Sequence, residues 1–344
     1  MPGSLRCEWL ATQAIIPERY RQRLVRALVV SNMLPDDRHP ERGRFVRDQV
    51  TALRRRPELE VELYEFAPGA RSLLDAAREL RRHHRRARLD VVHAHFGLTA
   101  WPALAVPARV RGLTVHGTDV RHPRTRQATR AVLPLMALLG AASPELVREL
   151  PGRAARRRAQ VLPCGVDLER FHPIPRAEAR AALGLDPTRT HLLFPADPAR
   201  AGKRYDRALA LVRALEAAHE PLLLTLGGVA PEQVPLWVNA ANAVLVPSEH
   251  EGFGLAVLEA LACDVPVLAT PVGVHPRALE GLAGALCAPF DVPSWRAALE
   301  PHLSAGDPRI DGRRRAEPFS AEALAARVAA AWRALLEDGG GHAG

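Results

Sequence analysis

Two carboxylates, Glu251 and Glu259, lie in the segment Pro247-Ser-Glu-His-Glu-Gly-Phe-Gly-Leu-Ala-Val-Leu-Glu-Ala-Leu-Ala262. An aliphatic run ends at Pro247, Glu251-Gly252-Phe253-Gly254 reads as a loop, and a helix is expected from Leu255. Open α/β sheets bind ligands at the carboxyl ends of their strands. Glycines let the backbone approach a ligand closely, and a helix start offers unpaired N–H groups to a phosphate. Glu259 falls on an apolar stripe of that helix, where a carboxylate must find a partner, and ligand hydroxyls would serve. A capped, buried helix with a structural acid is the other reading. The strand, glycine loop, helix start and two acids together favour a site.

Lys203 is the second candidate. Of the 47 basic residues, 46 are arginine and only this one is lysine. Ile and Asn are scarce too, which is the mark of a GC-rich coding sequence. A lysine kept in such a background is a candidate for a role that needs a compact ammonium, unless it survived by chance. His116 ends a strand-like run in Val115-His-Gly-Thr-Asp119, and His93-Ala-His95 ends another. With His116 and Asp119, the paired histidines could imitate the metal site of a hydrolase, which is the main rival chemistry.

These residues need strand ends and helix starts to hold them. Strand-like runs are expected at 27–31, 61–66, 91–94, 113–116, 136–141 and 160–162, then at 191–196, 222–226, 243–247, 265–269 and 284–287. Helix-period segments alternate with them, including 45–56, 72–86, 145–150, 205–216, 232–241, 255–262 and 294–303. Ser143-Pro144-Glu145 reads as an N-cap, a first-turn proline and a first-turn acid. Alternating strands and helices mean parallel sheets covered on both faces, and two such series mean two doubly wound α/β domains. Pro and Gly interrupt the pattern between Pro163 and Pro175, the expected boundary. A last helix, 320–338, carries Leu324, Val328, Ala331, Trp332 and Leu335 on one face and could dock on either domain. The closing GGGHAG is expected to be disordered.

PSEHEGFGLAVLEALACDVPVLAT resembles the E-x7-E segment of the retaining glycosyltransferases of GT-B fold in family 4. LPCGVDLERFHP, VHAHFG, VHGTDV and VPLWVNAANAVLVPS resemble further segments of that family. VVSNMLPDDRHPERGRFVRDQV is similar to the first strand and loop of its teichuronic-acid subgroup. The resemblance covers roughly residues 25–335. It implies a GT-B architecture: two Rossmann-like domains facing a cleft, with an acceptor domain over 25–165 and a nucleotide-sugar domain over 166–317. Residues 1–24 would be an N-terminal extension and 318–338 the C-terminal helix.

The resemblance also implies roles. Glu251 would contact the transferred sugar and Glu259 the ribose hydroxyls, with the amides near Phe253, Gly254 and Leu255 on the diphosphate. Lys203 matches the diphosphate-binding lysine. The family's partner arginine is missing, and Arg200 would substitute for it. His116 would face the donor sugar. Gly43 stands where the wider family has paired glycines in the loop after the first strand, a position that contacts acceptor or phosphate. Asp264 and Val274 replace family glycines and would lie near the sugar and phosphate loops.

Composition agrees with a folded, soluble protein: 47% hydrophobic and 25% charged residues over 344 positions. The longest apolar stretch, 131–142, is too short to span a bilayer, and the N-terminus has no signal-peptide core, so a cytoplasmic location is the expectation. Four scattered cysteines without a CxxC pair indicate neither a disulfide framework nor a zinc site. GxGxxG and GxxxxGK[ST] are absent, which disfavours dinucleotide oxidoreductases and P-loop enzymes. No DxD occurs, so no metal or other cofactor is expected; lysine and helix dipole would neutralise the diphosphate.

Residues 1–170 carry a net charge of +13 and 171–344 a net −4. The Arg81-Arg-His-His-Arg-Arg-Ala-Arg88 run is the focus of the basic half. Over residues 71–88 it would meet an anionic membrane surface, or else simply be a solvated helix end. It holds no aromatic residue, so nucleic acid is not an expected partner. The function expected is retaining transfer from a UDP- or GDP-sugar to a cell-envelope glycan, lipid-linked or other acceptor. A non-catalytic glycan- or nucleotide-binding protein, or a sugar-nucleotide epimerase of similar fold, are the alternatives.

Overall fold

The computed structural model describes residues 24–37, 39–303, 306–307 and 309–338. The expected N-terminal extension, apart from Leu24, and the glycine-rich end lie outside them. Among the described residues the strands are β1 (Val25–Ser31), β2 (Leu59–Glu65), β3 (Leu89–His95), β4 (Ala108–Val115), β5 (Leu138–Ala141), β6 (Gln160–Val161), β7 (His191–Phe194), β8 (Leu222–Thr225), β9 (Ala243–Val246), β10 (Val267–Ala269) and β11 (Leu286–Cys287). They form two parallel sheets, ordered β2-β1-β3-β4-β5-β6 and β11-β10-β9-β7-β8. β3 and β9 are buried along their whole length, as aliphatic strands covered on both faces must be.

In each sheet the strand order reverses beside its first strand: between β1 and β3 in one, and between β7 and β9 in the other. The crevice beyond the carboxyl ends at such a switch point is where ligands enter this architecture. β7 leads to Lys203 and β9 leads to Glu251, so both arise at the second sheet's switch point. β4 delivers His116 from the first sheet.

The chain crosses between sheets twice, side by side. Val166 and Ser320 form a parallel bridge, with Val166 N–H donating to Phe319 O (3.0 Å) and Ala321 N–H to Val166 O (2.8 Å). Gly165 permits this, because a Cβ there would lie 2.4 Å from the Ser320 carbonyl carbon. The final helix, Ala321–Asp338, therefore returns to the first sheet. Its Ala325, Val328, Ala329 and Trp332 join Val25, Val29, Val46, Val50 and Leu53 in one buried cluster. Its docking partner, open in the sequence, is the N-terminal domain.

Local differences from the expected elements have local causes. Leu133–Leu135, containing Pro134, forms a 3-10 turn, so β5 starts at Leu138 rather than 136. Lys203 ends another 3-10 turn, Ala201–Lys203. Arg204 adopts a left-handed conformation (φ 59°) before the Tyr205–His219 helix begins. In the Ala70–His84 helix the inner face uses Ala76 and Leu80, and Leu74 is left 61% exposed. No helix among the described residues is long and apolar enough to cross a membrane. Among the described residues, Cys164, Cys263 and Cys287 are free thiols.

Candidate functional site

Between the two sheets lies a cleft of about 360 Å³ whose lining includes His116 and Arg121 from one side and Arg200, Lys203, His250 and Glu251 from the other. Lys203 Nζ donates to both carboxylate oxygens of Glu251, each at 2.7 Å, and Ser248 Oγ donates to one of them at 2.6 Å. Burial pushes the Glu251 carboxyl up, but the Lys203 ammonium and the hydrogen bonds from Lys203 and Ser248 outweigh it. Its pKa falls below the ordinary carboxylate value. Arg200 is exposed at the rim, and no hydrogen bond or ion pair engages its side chain among the described residues.

The loop after Glu251 needs its glycines for space. A Cβ on Gly252 would lie 2.4 Å from the His116 carbonyl oxygen, so the domains meet here backbone to backbone. Gly254 precedes the Leu255–Ala262 helix at φ 106°, and a Cβ there would lie 2.4 Å from His275 Nε2. His275 Nδ1–H donates to Thr270 O at 2.9 Å, which leaves the buried Nε2 beside that glycine without a hydrogen-bond partner among the described residues. Phe253 packs edge-on to Phe319 (centroids 6.2 Å) and touches the cores of both domains. Leu255, half-buried, opens the helix, whose first N–H groups face the loop.

Glu259 stands one turn further along that helix. It is half-buried, and no hydrogen-bond partner engages its carboxyl among the described residues. Burial raises its pKa to about 7, against the opposing pull of Arg170 and Lys203 and with a small further rise from Asp48. Such a group is poised to accept hydroxyl donors that compensate its desolvation.

The His116 ring sits against Phe96 (centroids 4.7 Å) and Phe45 (5.1 Å), and its Nε2 is 2.9 Å from His95 Nδ1. Asp119 secures the turn by accepting from the backbone N–H groups of His116 and Gly117. Burial raises the Asp119 carboxyl to about 6 despite those bonds.

Two expectations change. The rival metal reading of His93 and His95 loses both His93 nitrogens and His95 Nδ1 to other partners: Trp332 Nε1–H donates to His93 Nδ1, His93 Nε2 pairs with Thr114 Oγ1, and His95 Nδ1 pairs with His116. Among the described residues no three His, Cys, Asp or Glu side chains are grouped to hold a metal. Asp264 is not beside the sugar and phosphate loops. It lies past the far end of the Leu255–Ala262 helix, about 12 Å of helical rise from Leu255. There it fills a left-handed position (φ 56°) and its carboxylate accepts from Arg313 N–H at 2.7 Å. Aspartate tolerates that conformation better than most residues, which explains how it stands in for glycine. Val274 does lie against that loop, its N–H donating to Phe253 O at 2.8 Å; at φ −81° it needs no glycine, and the left-handed position is Gly273. Gly43 is left-handed (φ 72°), and a Cβ there would lie 2.4 Å from the Met33 carbonyl oxygen; the residues that follow it turn toward the cleft, Arg44 pairing with Glu232 at 2.7 Å and the Phe45 ring lying 5.1 Å from that of His116.

Sequence reasoning missed Arg121 and Ser248. Arg121 forms a two-pronged pair with Glu149 (2.8 and 3.0 Å) and reaches the Glu251 carbonyl across the cleft at 3.4 Å. Its partners are remote in sequence, so no local signal marks it. Ser248 sits three residues before Glu251, and that spacing was its available signal.

A family model described as "Glycosyltransferase Family 4" matches residues 18–170, and one described as "Glycosyl transferases group 1" matches residues 199–304. D-inositol 3-phosphate glycosyltransferase of Segniliparus rotundus is 30% identical over 74% of this chain and 68% of its own length. The protein of that name in Pseudarthrobacter chlorophenolicus is 27% identical over 80% of this chain and 76% of its own. Among solved structures, sucrose-phosphate synthase from Thermosynechococcus elongatus superposes with a TM-score of 0.67 at 19% identity, covering 91% of this chain and 100% of that one. HepE from Anabaena, solved with UDP and glucose, gives 0.63 at 15% identity, over 90% of this chain and 99% of its own. The architecture shared with these structures is the GT-B fold.

Proposed function

Since the chain belongs to the group 1 glycosyltransferases of family 4, we propose that it transfers a sugar, with retention, from a UDP- or GDP-sugar to a cell-envelope glycan or lipid-linked acceptor. The observation that carries this reading is the meeting of Lys203, Glu251 and Arg200 with His116 in one interdomain cleft.

The donor diphosphate would lie against Lys203, the unpaired Arg200 and the amide groups from Phe253 to Leu255. Positive charge fixed there before reaction favours the leaving diphosphate as its charge develops. The anion would draw Lys203 partly from Glu251, whose carboxylate is then freed toward sugar hydroxyls. Glu259 would take the ribose hydroxyls. His116 would border the sugar from the acceptor side, and the nucleophile would enter on the face the diphosphate leaves. Fixed cations and helix N–H groups make a divalent metal unnecessary in this scheme.

The acceptor's location follows from charge. Residues 71–88 hold seven arginines against two carboxylates. Arg81, Arg82, Arg85, Arg86 and Arg88 are exposed beside the exposed Leu74. A peripheral position on the cytoplasmic face of an anionic membrane would bring a lipid-linked acceptor to the cleft.

A panel of UDP- and GDP-sugars tests the reading, first alone and then with acceptors, including inositol phosphate and envelope lipid extracts, in excess EDTA. Slow nucleotide release alone and sugar transfer with acceptor are expected. An isomerised donor would make the protein an epimerase, and donor binding without either product would make it a binding protein.

A further inference from the structure

His116 is backed by imidazoles that the transfer scheme leaves unused. His93 and His95 stand two residues apart on β3, so both side chains leave the same face of the strand. Their ring centroids are 5.3 Å apart with planes 28° from parallel. The His95 and His116 rings lie 5.1 Å apart and 20° from parallel, and His95 Nδ1 is 2.9 Å from His116 Nε2. At the far end Trp332 Nε1–H donates to His93 Nδ1 at 2.9 Å. That leaves the His93 proton on Nε2, where it is given to Thr114 Oγ1 at 2.8 Å. His93 and His95 are each only 1% exposed, and the Trp332 indole is fully enclosed. The row is thus clamped at one end by the last helix and opens at the other into the cleft.

Burial keeps these rings neutral at ordinary pH: it lowers His93 to about 4 and His116 to about 3, and holds His95 well below its usual value. Two neutral imidazoles that share one N–H···N bond must divide the roles, one donating and one accepting. The tautomers of the two rings are then coupled. If His95 donates, His116 holds its own proton on Nδ1; if His116 donates from Nε2, its Nδ1 is a bare acceptor. The free edge of His116 is thus a donor or an acceptor according to which ring donates.

We propose that His95 is a positioning residue for sugar transfer: by holding Nε2 of His116 it fixes that ring in one orientation at the cleft wall and ties the ring's tautomer to its own. This rests on the transfer reading above. His95 touches no substrate in this scheme and acts through His116. His93, pinned by Trp332 and Thr114, keeps the His95 ring from turning.

Side-chain mimicry provides the test. An asparagine amide overlies the Nδ1 position of histidine, a glutamine amide overlies Nε2, and leucine offers neither. Protein labelled with nitrogen-15 in histidine is compared as wild type, His95→Asn, His95→Gln and His95→Leu, reading the His116 ring nitrogens without donor. His116 ring-nitrogen shifts close to wild type are expected for His95→Asn, and altered shifts for His95→Gln and His95→Leu. In transfer assays kcat should fall tenfold or more in the Gln and Leu proteins, with donor KM changed less, and recover most of the way in His95→Asn. If His95→Leu does not fold, the Asn–Gln contrast carries the comparison. Identical His116 shifts in all folded variants, or a His95→Asn protein as impaired as His95→Gln, would overturn the proposal. A wild type that transfers no sugar would refute the transfer reading instead, and the nitrogen shifts would still decide whether His95 orders His116.

Discussion

Lys203 Nζ and the carboxylate of Glu251 form a two-pronged ion pair, 2.7 Å to each oxygen, across loops that follow neighbouring strands. The cation assigned to the diphosphate and the acid assigned to the sugar therefore neutralise each other within the protein. That pairing allows both charges to be buried near an apolar core, and a polyanion can divide it.

Lys203→Arg separates structure from chemistry. Arginine can still pair with Glu251, so the melting temperature should barely move. Its planar, bulkier fork fits poorly between a diphosphate and a helix start. A kcat loss of about tenfold or more, or about 1.4 kcal/mol, is expected. Lys203→Ala, by contrast, strands a buried carboxylate and should cost about 3–5 kcal/mol of stability in urea denaturation. Wild-type kcat in Lys203→Arg would remove the residue from the reaction.

Glu259→Gln should weaken nucleotide binding by about 1–3 kcal/mol, because an ionised carboxylate accepts ribose hydroxyls better than an amide does. Isothermal titration with UDP and GDP measures it. Unchanged affinity in a folded protein would take Glu259 out of the donor site.

The raised pKa of Glu259, about 7 through burial, also sets a pH dependence. Only the ionised form pairs well with two hydroxyls, so donor affinity should weaken as pH falls below about 7, by up to tenfold per unit, and level off above. A UDP-sugar is the right probe, since its diphosphate diester does not titrate there. Stability runs the other way: the raised carboxyl favours the folded state fully below its ordinary pKa, and that contribution is lost as pH rises through about 7. The affinity slope should vanish in Glu259→Gln, and the stability slope should shrink to what Asp119 and other groups contribute.

Trp332 ties the last helix to the first domain. Trp332→Ala removes the largest buried side chain of that contact and should cost about 3–5 kcal/mol. Trp332→Phe keeps most of the volume but leaves His93 Nδ1 without its donor, for about 1–3 kcal/mol. Equal stability of the Phe variant and wild type would show that the bond contributes nothing.

Membrane contact through residues 71–88 is checked by co-sedimentation with vesicles, with and without phosphatidylserine. Replacing Arg81, Arg82 and Arg85 by glutamine should weaken binding to the anionic vesicles by about 3 kcal/mol in total, roughly a hundredfold. Binding should also fall steeply with salt. Equal binding to neutral vesicles would disprove the electrostatic contact.

The sequence by itself determined the two α/β domains, the alternation of strand and helix, and the Glu251–Glu259 loop and helix. Those signals are local: aliphatic runs, glycines at forced backbone angles and helix starts depend on residues a few positions apart. The Leu255–Ala262 helix was legible to its ends for that reason. Tertiary structure alone decided which distant groups meet. Lys203 and Glu251 are 48 residues apart, and Trp332 and His93 are 239 apart. The side on which the last helix docks, the engagement of both His93 nitrogens and of His95 Nδ1, and the place of Asp264 beyond the helix end follow from such closures. A helix face says only that it must be buried, since the hydrophobic effect has no direction. What buries it is settled by the hydrogen bonds and steric fits that one docking satisfies, here Trp332 to His93 and Gly165 against Ser320.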